Sequence, residues 1–358
     1  MIHREKTRRI MIGNIPVGGG APVIVQSMTT THTKDVNATV RQIKRLERSG
    51  CEIVRVAVPD IESARAVAKI RTAVNIPVVA DIHYNYKLGI EAVKSGADAL
   101  RINPGNIGSR GGLKSLIKEA MIRKIPVRVG VNAGSLEEDI LFKYACTPSA
   151  DALVESAIRN VRLLEDMGFR DIKVSLKSSD VLTTVEAYRK VASNLDYPLH
   201  LGVTEAGTLL RGAIKSSIGI GILLAEGIGD TIRVSLTADP VEEVKAAYMI
   251  LSSLNLRKRG ITLISCPSCG RSEIDLIRIT KEFEKKMNAV TTPLTVAIMG
   301  CVVNGPGEAR EADVGVAGGK GVAVLFRKGK LIKKIKEKEM VHVLIHEVME
   351  LSKKKGEE

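Results

Sequence analysis

Residues 77–103 read PVVADIHYNYKLGIEAVKSGADALRIN, and this stretch decides the fold. An apolar run over 77–83 leads into a segment that stops at Gly96, and a second apolar run follows over 99–103. Strand, helix with a glycine stop, strand is the pattern of a right-handed βαβ unit in a parallel sheet. Apolar runs without polar alternation suit strands covered on both faces. The same signature recurs at 22–28, 52–58, 127–132, 172–177, 199–205 and 231–236. Intervening stretches such as 40–48, 61–70, 152–167 and 181–192 carry apolar residues at three- and four-residue spacing, as helices do. Eight repeats in about 255 residues predict an α/β fold with a (β/α)8 TIM-type barrel over residues 1–257. A doubly wound open sheet is the alternative. It would place a glycine-rich phosphate turn after the first strand, and QSMTTTHT at 26–33 has no glycine.

Outside the repeats, IMIGNIPVGGGAP at 10–22 reads as a short hairpin capping the bottom of the barrel. After NLRKRG at 255–260 the pattern changes. A helix over 273–287, a strand over 294–299 and two strands joined across Gly318-Gly319-Lys320-Gly321 are expected. A further hairpin turns at Lys328-Gly329-Lys330, and a last helix spans 339–351. This is a smaller α+β domain over 258–358. Its GGKG run lacks the Ser or Thr of a phosphate-binding loop and sits between strands, so it reads as a turn.

The composition, 44% hydrophobic and 26% charged in 358 residues, is that of a globular chain of one large or two domains. No apolar run approaches the ~20 residues of a membrane helix. The opening MIHREKTRRI lacks the apolar core of a signal peptide, so a cytoplasmic location is expected. Five cysteines are too few for a disulfide framework. The formal charge of +14 points to an anionic partner. With aromatics at 3% and no tryptophan, the platforms for single-stranded nucleic acid are scarce.

Charged residues interrupt the apolar strands: Arg55, Asp81 with His83, Arg101 with Asn103, Arg128 with Asn132, Lys177, Glu205, and Arg233 with Ser235. Buried charge is costly unless paired, so these side chains must share a polar site or neutralise one another. The C-terminal ends of barrel strands converge on one mouth. Five cations there against Asp81 and Glu205 leave a surplus of about three charges, which a diphosphate would balance. A salt-bridge network within the barrel core is the other reading. Glu205 is a candidate proton donor or acceptor, or else a structural partner for arginine. In the second domain, SCPSCGR holds Cys266 and Cys269, and MGCVVNGPGEAR holds Cys301 and Glu308. Three thiolates and one oxygen ligand suit an iron–sulfur cluster, with structural zinc as the competing assignment.

Together CPSCGR, GCVVNGPGEA and the barrel motifs VQSMT, VRVAVP, ADIHYN, LRINPGN, VRVGVN, VSLK, GVTEAG and IRVSL resemble the 4-hydroxy-3-methylbut-2-enyl diphosphate synthases. That family serves the methylerythritol phosphate route to isoprenoids, and the resemblance is to its short, two-domain bacterial form. It implies reductive ring opening and dehydration of 2-C-methyl-D-erythritol 2,4-cyclodiphosphate. It implies a [4Fe–4S] cluster on Cys266, Cys269, Cys301 and Glu308. Arg55, Arg101, Arg128, Asn132, Lys177, Arg233 and Ser235 match positions that grip the diphosphate. Asp81, Asn103 and Glu205 match positions near the reacting carbons, with Glu205 the proton donor. A ferredoxin or flavodoxin as electron donor and a homodimer sharing its active sites are further implications. Three rivals have distinct signatures: a sirohaem-dependent reductase, a dihydropteroate-type barrel with appended zinc, and a basic RNA-binding protein.

Overall fold

Eight parallel strands form the first unit's sheet: β3 (Ile24–Met28), β4 (Ile53–Ala57), β5 (Val78–Asp81), β6 (Ala99–Ile102), β7 (Val127–Asn132), β8 (Ile172–Lys177), β9 (His200–Leu201) and β10 (Thr231–Ile232). Their order is β8-β7-β6-β5-β4-β3-β10-β9, and a parallel bridge between Val174 and Leu199 joins the two ends. The expected (β/α)8 barrel is therefore what the chain forms. The computed structural model describes residues 3–301, 307 and 310–357. The chain divides into two compact units, Met1–Arg257 and Lys258–Glu358.

Helices follow the strands, and several begin at a residue that caps them. Asp35, Asp60, Ser109, Ser149 and Asp180 each accept a backbone N–H of the first helical turn through the side chain. Between helices and strands lies one continuous core, with Ile43, Ile70, Leu116, Leu153 and Val191 packing onto Val54, Leu100, Val127 and Val174. Removing this much apolar surface from water is what holds the ring closed.

A short hairpin, β1 (Ile10–Ile12) paired with β2 (Ile15–Val17), precedes the ring. Ile10, Ile12 and Val17 pack against Ile24, Ile53, Val79 and Ala99, residues at the N-terminal ends of barrel strands. The hairpin thus stoppers the bottom of the barrel, as its sequence led one to expect. β9 and β10 are shorter than the runs 199–205 and 231–236. Gly202, just beyond Leu201, lies close to the Arg233 carbonyl and Lys177 Nζ; a Cβ there would lie 2.7 Å and 2.8 Å from them.

The second unit is a mixed sheet in the order β11 (Ile261–Ser265), β12 (Leu294–Met299), β13 (Val314–Gly318), β14 (Val322–Arg327), β15 (Lys330–Lys336). β11, β12 and β13 run parallel, and the two hairpins β13–β14 and β14–β15 are antiparallel. Helices Leu276–Met287 and Met340–Glu357 bury Phe283, Met340, Leu344 and Val348 with Val296, Val316 and Leu325 of the sheet. Strand β11 had no counterpart in the sequence reading, although ITLIS between Gly260 and Pro267 is rich in strand formers.

Candidate active site: a cationic cavity at the barrel mouth

Side chains alternate along a strand, so in β8 Lys173, Ser175 and Lys177 share the inward face, as Arg128, Gly130 and Asn132 do in β7. Parallel register sets Arg101 level with Asp81 on one side and with Arg128 on the other, and Asn132 level with Lys177. The result is a cavity of about 230 Å³ whose wall includes Arg55, Asp81, Arg101, Arg128, Lys177 and Arg233. His83, Asn132, Ser175, Thr204, Ser235 and Met28 complete it.

Asp81 is the anionic hub. Its carboxylate lies 3.4 Å from Arg55 Nε, 3.3 Å from Arg101 Nη1 and 3.7 Å from His83 Nε2. Burial alone would raise this carboxyl; Arg55, Arg101, His83 and Arg128 outweigh it and hold it below its ordinary 3.8. Arg55 also donates to the Met28 thioether. Burial pushes Arg55 down to about 10, although Asp81 opposes the shift. Asn132, with its amide turned to satisfy both ends, accepts from Arg101 Nη2 at 3.0 Å and donates to the Val131 carbonyl. Gly130 lets the Arg101 guanidinium lie flat on strand β7, where a Cβ would sit 2.7 Å from Nε.

The opposite wall lacks such a hub. Arg128 donates to Ser175 Oγ at 3.1 Å, yet its buried Nε, like that of Arg101, has no partner among the described residues. Lys177 makes no hydrogen bond or ion pair among them. Burial first, then the neighbouring arginines, push both Arg128 and Lys177 well below their ordinary values. Arg233 has a carboxylate partner from outside the strands. Glu243, buried on helix Pro240–Ser253, lies 3.3 Å from Arg233 Nη2 and also accepts from Ser27 Oγ and Leu236 N–H. With every cavity cation charged the surplus would be about three, and the second compensating carboxylate is Glu243 and not Glu205.

Two candidates lie outside this wall. Asn103 is buried beside it, accepting from Gly105 N–H and donating to the Ser135 carbonyl. Glu205 is exposed on the loop after β9, with φ +51°, a left-handed conformation that costs a non-glycine residue about 1 kcal/mol or more. Sequence reasoning passed over Met28, Ser175, Thr204, Glu243 and Lys173. Period-two alternation from Lys177 would have found Ser175 and Lys173; no local pattern ties Glu243 to Arg233.

In the second unit, register places Cys266 and Cys301 just past the C-terminal ends of neighbouring parallel strands. Gly300 N–H donates to Cys266 Sγ at 3.3 Å. Hydrogen bonds from the backbone and side chain of Arg271 hold the Cys269 thiol below its ordinary 9.0, toward the thiolate that binds metal. All three thiols are free. Among the described residues no three such side chains are gathered closely enough to grip an ion, and Glu308 lies outside the described residues. The donor set itself, soft thiolates near N–H donors at two strand ends, fits an iron–sulfur cluster.

A barrel with a buried, cation-rich cup, followed by a second, thiol-bearing unit, defines a class of two-unit TIM-barrel proteins. The GcpE TIM-barrel domain matches residues 7–248 and the GcpE C-terminal domain matches 262–350, so this chain belongs to the GcpE family. Over 348 residues it is 56% identical to the 4-hydroxy-3-methylbut-2-en-1-yl diphosphate synthase (flavodoxin) of Thermodesulfovibrio yellowstonii, covering 97% of this chain and 99% of that one. The enzyme of the same name from Geobacter sulfurreducens is 56% identical over 345 residues, 96% of this chain and 98% of its own. Among solved structures, Yersinia pestis dihydropteroate synthase aligns with a TM-score of 0.50 at 13% identity, covering 69% of this chain and 98% of that one. That likeness is one of fold alone.

Proposed function

We propose that this chain is the synthase of its family: it opens and dehydrates 2-C-methyl-D-erythritol 2,4-cyclodiphosphate to 1-hydroxy-2-methyl-2-(E)-butenyl 4-diphosphate. The observation that carries this reading is the uncompensated positive charge of the barrel cavity, whose guanidinium forks suit phosphate oxygens. Residues 1–257 hold the diphosphate and residues 258–358 hold the redox centre. In the reaction two C–O bonds break and one C=C bond forms; two electrons and two protons enter and one water leaves. Arg55, Arg101, Arg128, Lys177 and Arg233 neutralise the diphosphate, with Asn132 and Ser235 orienting it. Binding it in a buried cup replaces water by fixed donors, so the oxygen that departs onto phosphate meets charge already in place. Asp81 in the wall and Asn103 beside it face the carbon skeleton. Glu205 delivers the proton to the departing hydroxyl, a role that its strained backbone and exposure on a mouth loop support.

A [4Fe–4S] cluster on Cys266, Cys269, Cys301 and Glu308 would supply single electrons and a Lewis-acidic iron. What supports it here is the set of free thiols and the hydrogen bonds from Arg271 that lower the Cys269 thiol. Flavodoxin, named in the relatives, or a ferredoxin is the donor we assign, in a cytoplasm that keeps five cysteines reduced. The family resemblance supports a homodimer in which a barrel mouth meets the partner's redox unit. No helix among the described residues is long and apolar enough to cross a membrane.

The test is anaerobic purification, iron and sulfide analysis, then incubation with the cyclic diphosphate and reduced flavodoxin. About four iron and four sulfide per chain, with conversion to the butenyl diphosphate, is the expected result. Zinc in place of iron, or an intact substrate after reduction, would overturn the reading.

A further inference from the structure

Below the cavity floor lies a cation that the proposed chemistry does not use. Lys173 is inward-facing on β8, level with Arg128 on β7, and only 3% exposed. Its side chain makes no hydrogen bond or ion pair among the described residues, and neither does that of Lys177 two inward positions higher. A void of about 10 Å³, near the minimum for one water, is lined by Lys173, Arg128 and Gln26 and closed from below by Ile10 and Ile12. Gln26 Oε1 is buried there without a partner, an acceptor waiting for a donor.

The charges facing these two lysines are almost all of the same sign. Arg128, Arg233, Arg55 and Arg101 act on Lys177 from four strands. Arg128 and Arg55 act on Lys173, opposed by Asp230. Asp230 is already engaged by Thr7 Oγ and Leu199 N–H. His200, buried on β9 with Nδ1 2.8 Å from Thr231 Oγ1, feels Arg128 and both lysines, and burial holds it well below its ordinary value. The carboxylates within the cup are committed, Asp81 to Arg55 and Arg101, and Glu243 to Arg233. Tyr188 lends its hydroxyl to the His200 carbonyl. An interior with this many cations and so few anions cannot keep every one charged, and amines surrender protons where guanidinium groups do not.

We propose that binding of the cyclic diphosphate is coupled to proton uptake by the protein, with Lys177 in the cavity wall and Lys173 beneath it as the acceptors. The inference rests on the diphosphate reading above. Without anion the two amines are neutral. A dianion in the cup reverses the local potential, each amine takes a proton from solvent, and Gln26 Oε1 receives the Lys173 ammonium. No redox step is involved. Each phosphorus of the cyclic substrate carries one strongly acidic oxygen, so its charge stays constant near neutrality and the protons counted belong to the protein. Linkage fixes the sign: affinity falls as pH rises, about tenfold per pH unit for each proton taken up.

The experiment is titration calorimetry of the oxidised holoenzyme with the cyclic diphosphate at pH 8, without reductant, in buffers of different ionisation enthalpy. The slope of observed heat against buffer enthalpy counts the protons. Net uptake of at least about half a proton per chain, reduced in Lys173→Met, is the expected result. A zero slope, proton release, or an unchanged slope in Lys173→Met overturns the inference. Should that variant fail to fold, the pH dependence of wild-type affinity still decides: affinity independent of pH above neutrality overturns it. Absence of any binding would instead bring down the diphosphate reading itself, so the two failures are told apart.

Discussion

In the barrel unit Asp81, Arg101, Arg128, Ser175 and Lys177 are set by strand register and buried, whereas in the second unit Cys266, Cys269 and Cys301 stand half-buried or exposed at strand ends and in a turn. The difference follows from what each site is to hold. A phosphate gains most from donors whose orientation costs nothing at the moment of binding, so rigidity is worth building into the walls. Thiolates gain so much from metal that the ion itself can gather them, and the apo chain need only keep them near one another. One unit is organised by its backbone, the other by its ligand.

The largest expected effect tests the second half of that contrast. Cys301→Ser should abolish bound iron and sulfide, read chemically and by visible absorbance. Activity should fall beyond the roughly 100-fold typical of changes around a metal's outer shell. Far-UV circular dichroism and binding of the cyclic diphosphate should survive. Loss of substrate binding as well would show that the barrel is not organised independently.

Asp81→Asn attacks the first half. Removing the carboxylate shared by Arg55 and Arg101 leaves buried charge uncompensated, and unfolding free energy in denaturant should drop by about 3–5 kcal/mol. Gly202→Ala tests the close approach at the end of β9. Its methyl group would press on the Arg233 carbonyl and Lys177 Nζ, costing about 1–3 kcal/mol and raising KM. A neutral Gly202→Ala would mean that the cup yields more readily than its packing implies.

The smallest effect is a pH dependence. Asp81 has its folded pKa depressed below 3.8, so its contribution to stability is present above that unfolded value and is lost as pH falls through the folded one. Unfolding midpoints should decline below about pH 4, with a shallower decline in Asp81→Asn.

Much of the barrel was legible because its signals are local. Apolar runs, glycine stops and capping residues mark each βα step, and charges inside apolar runs mark the mouth. What escaped depends on distance. Glu243 reaches Arg233 from a helix, and nothing in the spacing of the two announces the pair. The close approach of Gly202 to the Arg233 carbonyl is a contact that no run of residue types encodes. Lys173 was visible in principle, two alternations before Lys177, but a lysine in a strand reads by default as solvent-facing. In the second unit the cysteines carried the message and the sheet did not: β11 stands outside the strand–helix repeat that marked the barrel strands, and Glu308 lies outside the described residues.

The β1–β2 hairpin makes the barrel a blind vessel. With Ile10, Ile12 and Val17 seated on the strand beginnings, the bottom is shut among the described residues, and the mouth is the doorway of the cup. Incoming anion, displaced water and outgoing product must all use it in turn. Turnover is therefore strictly sequential: the vessel empties before it can fill again, and a tightly held product would act as its own cork.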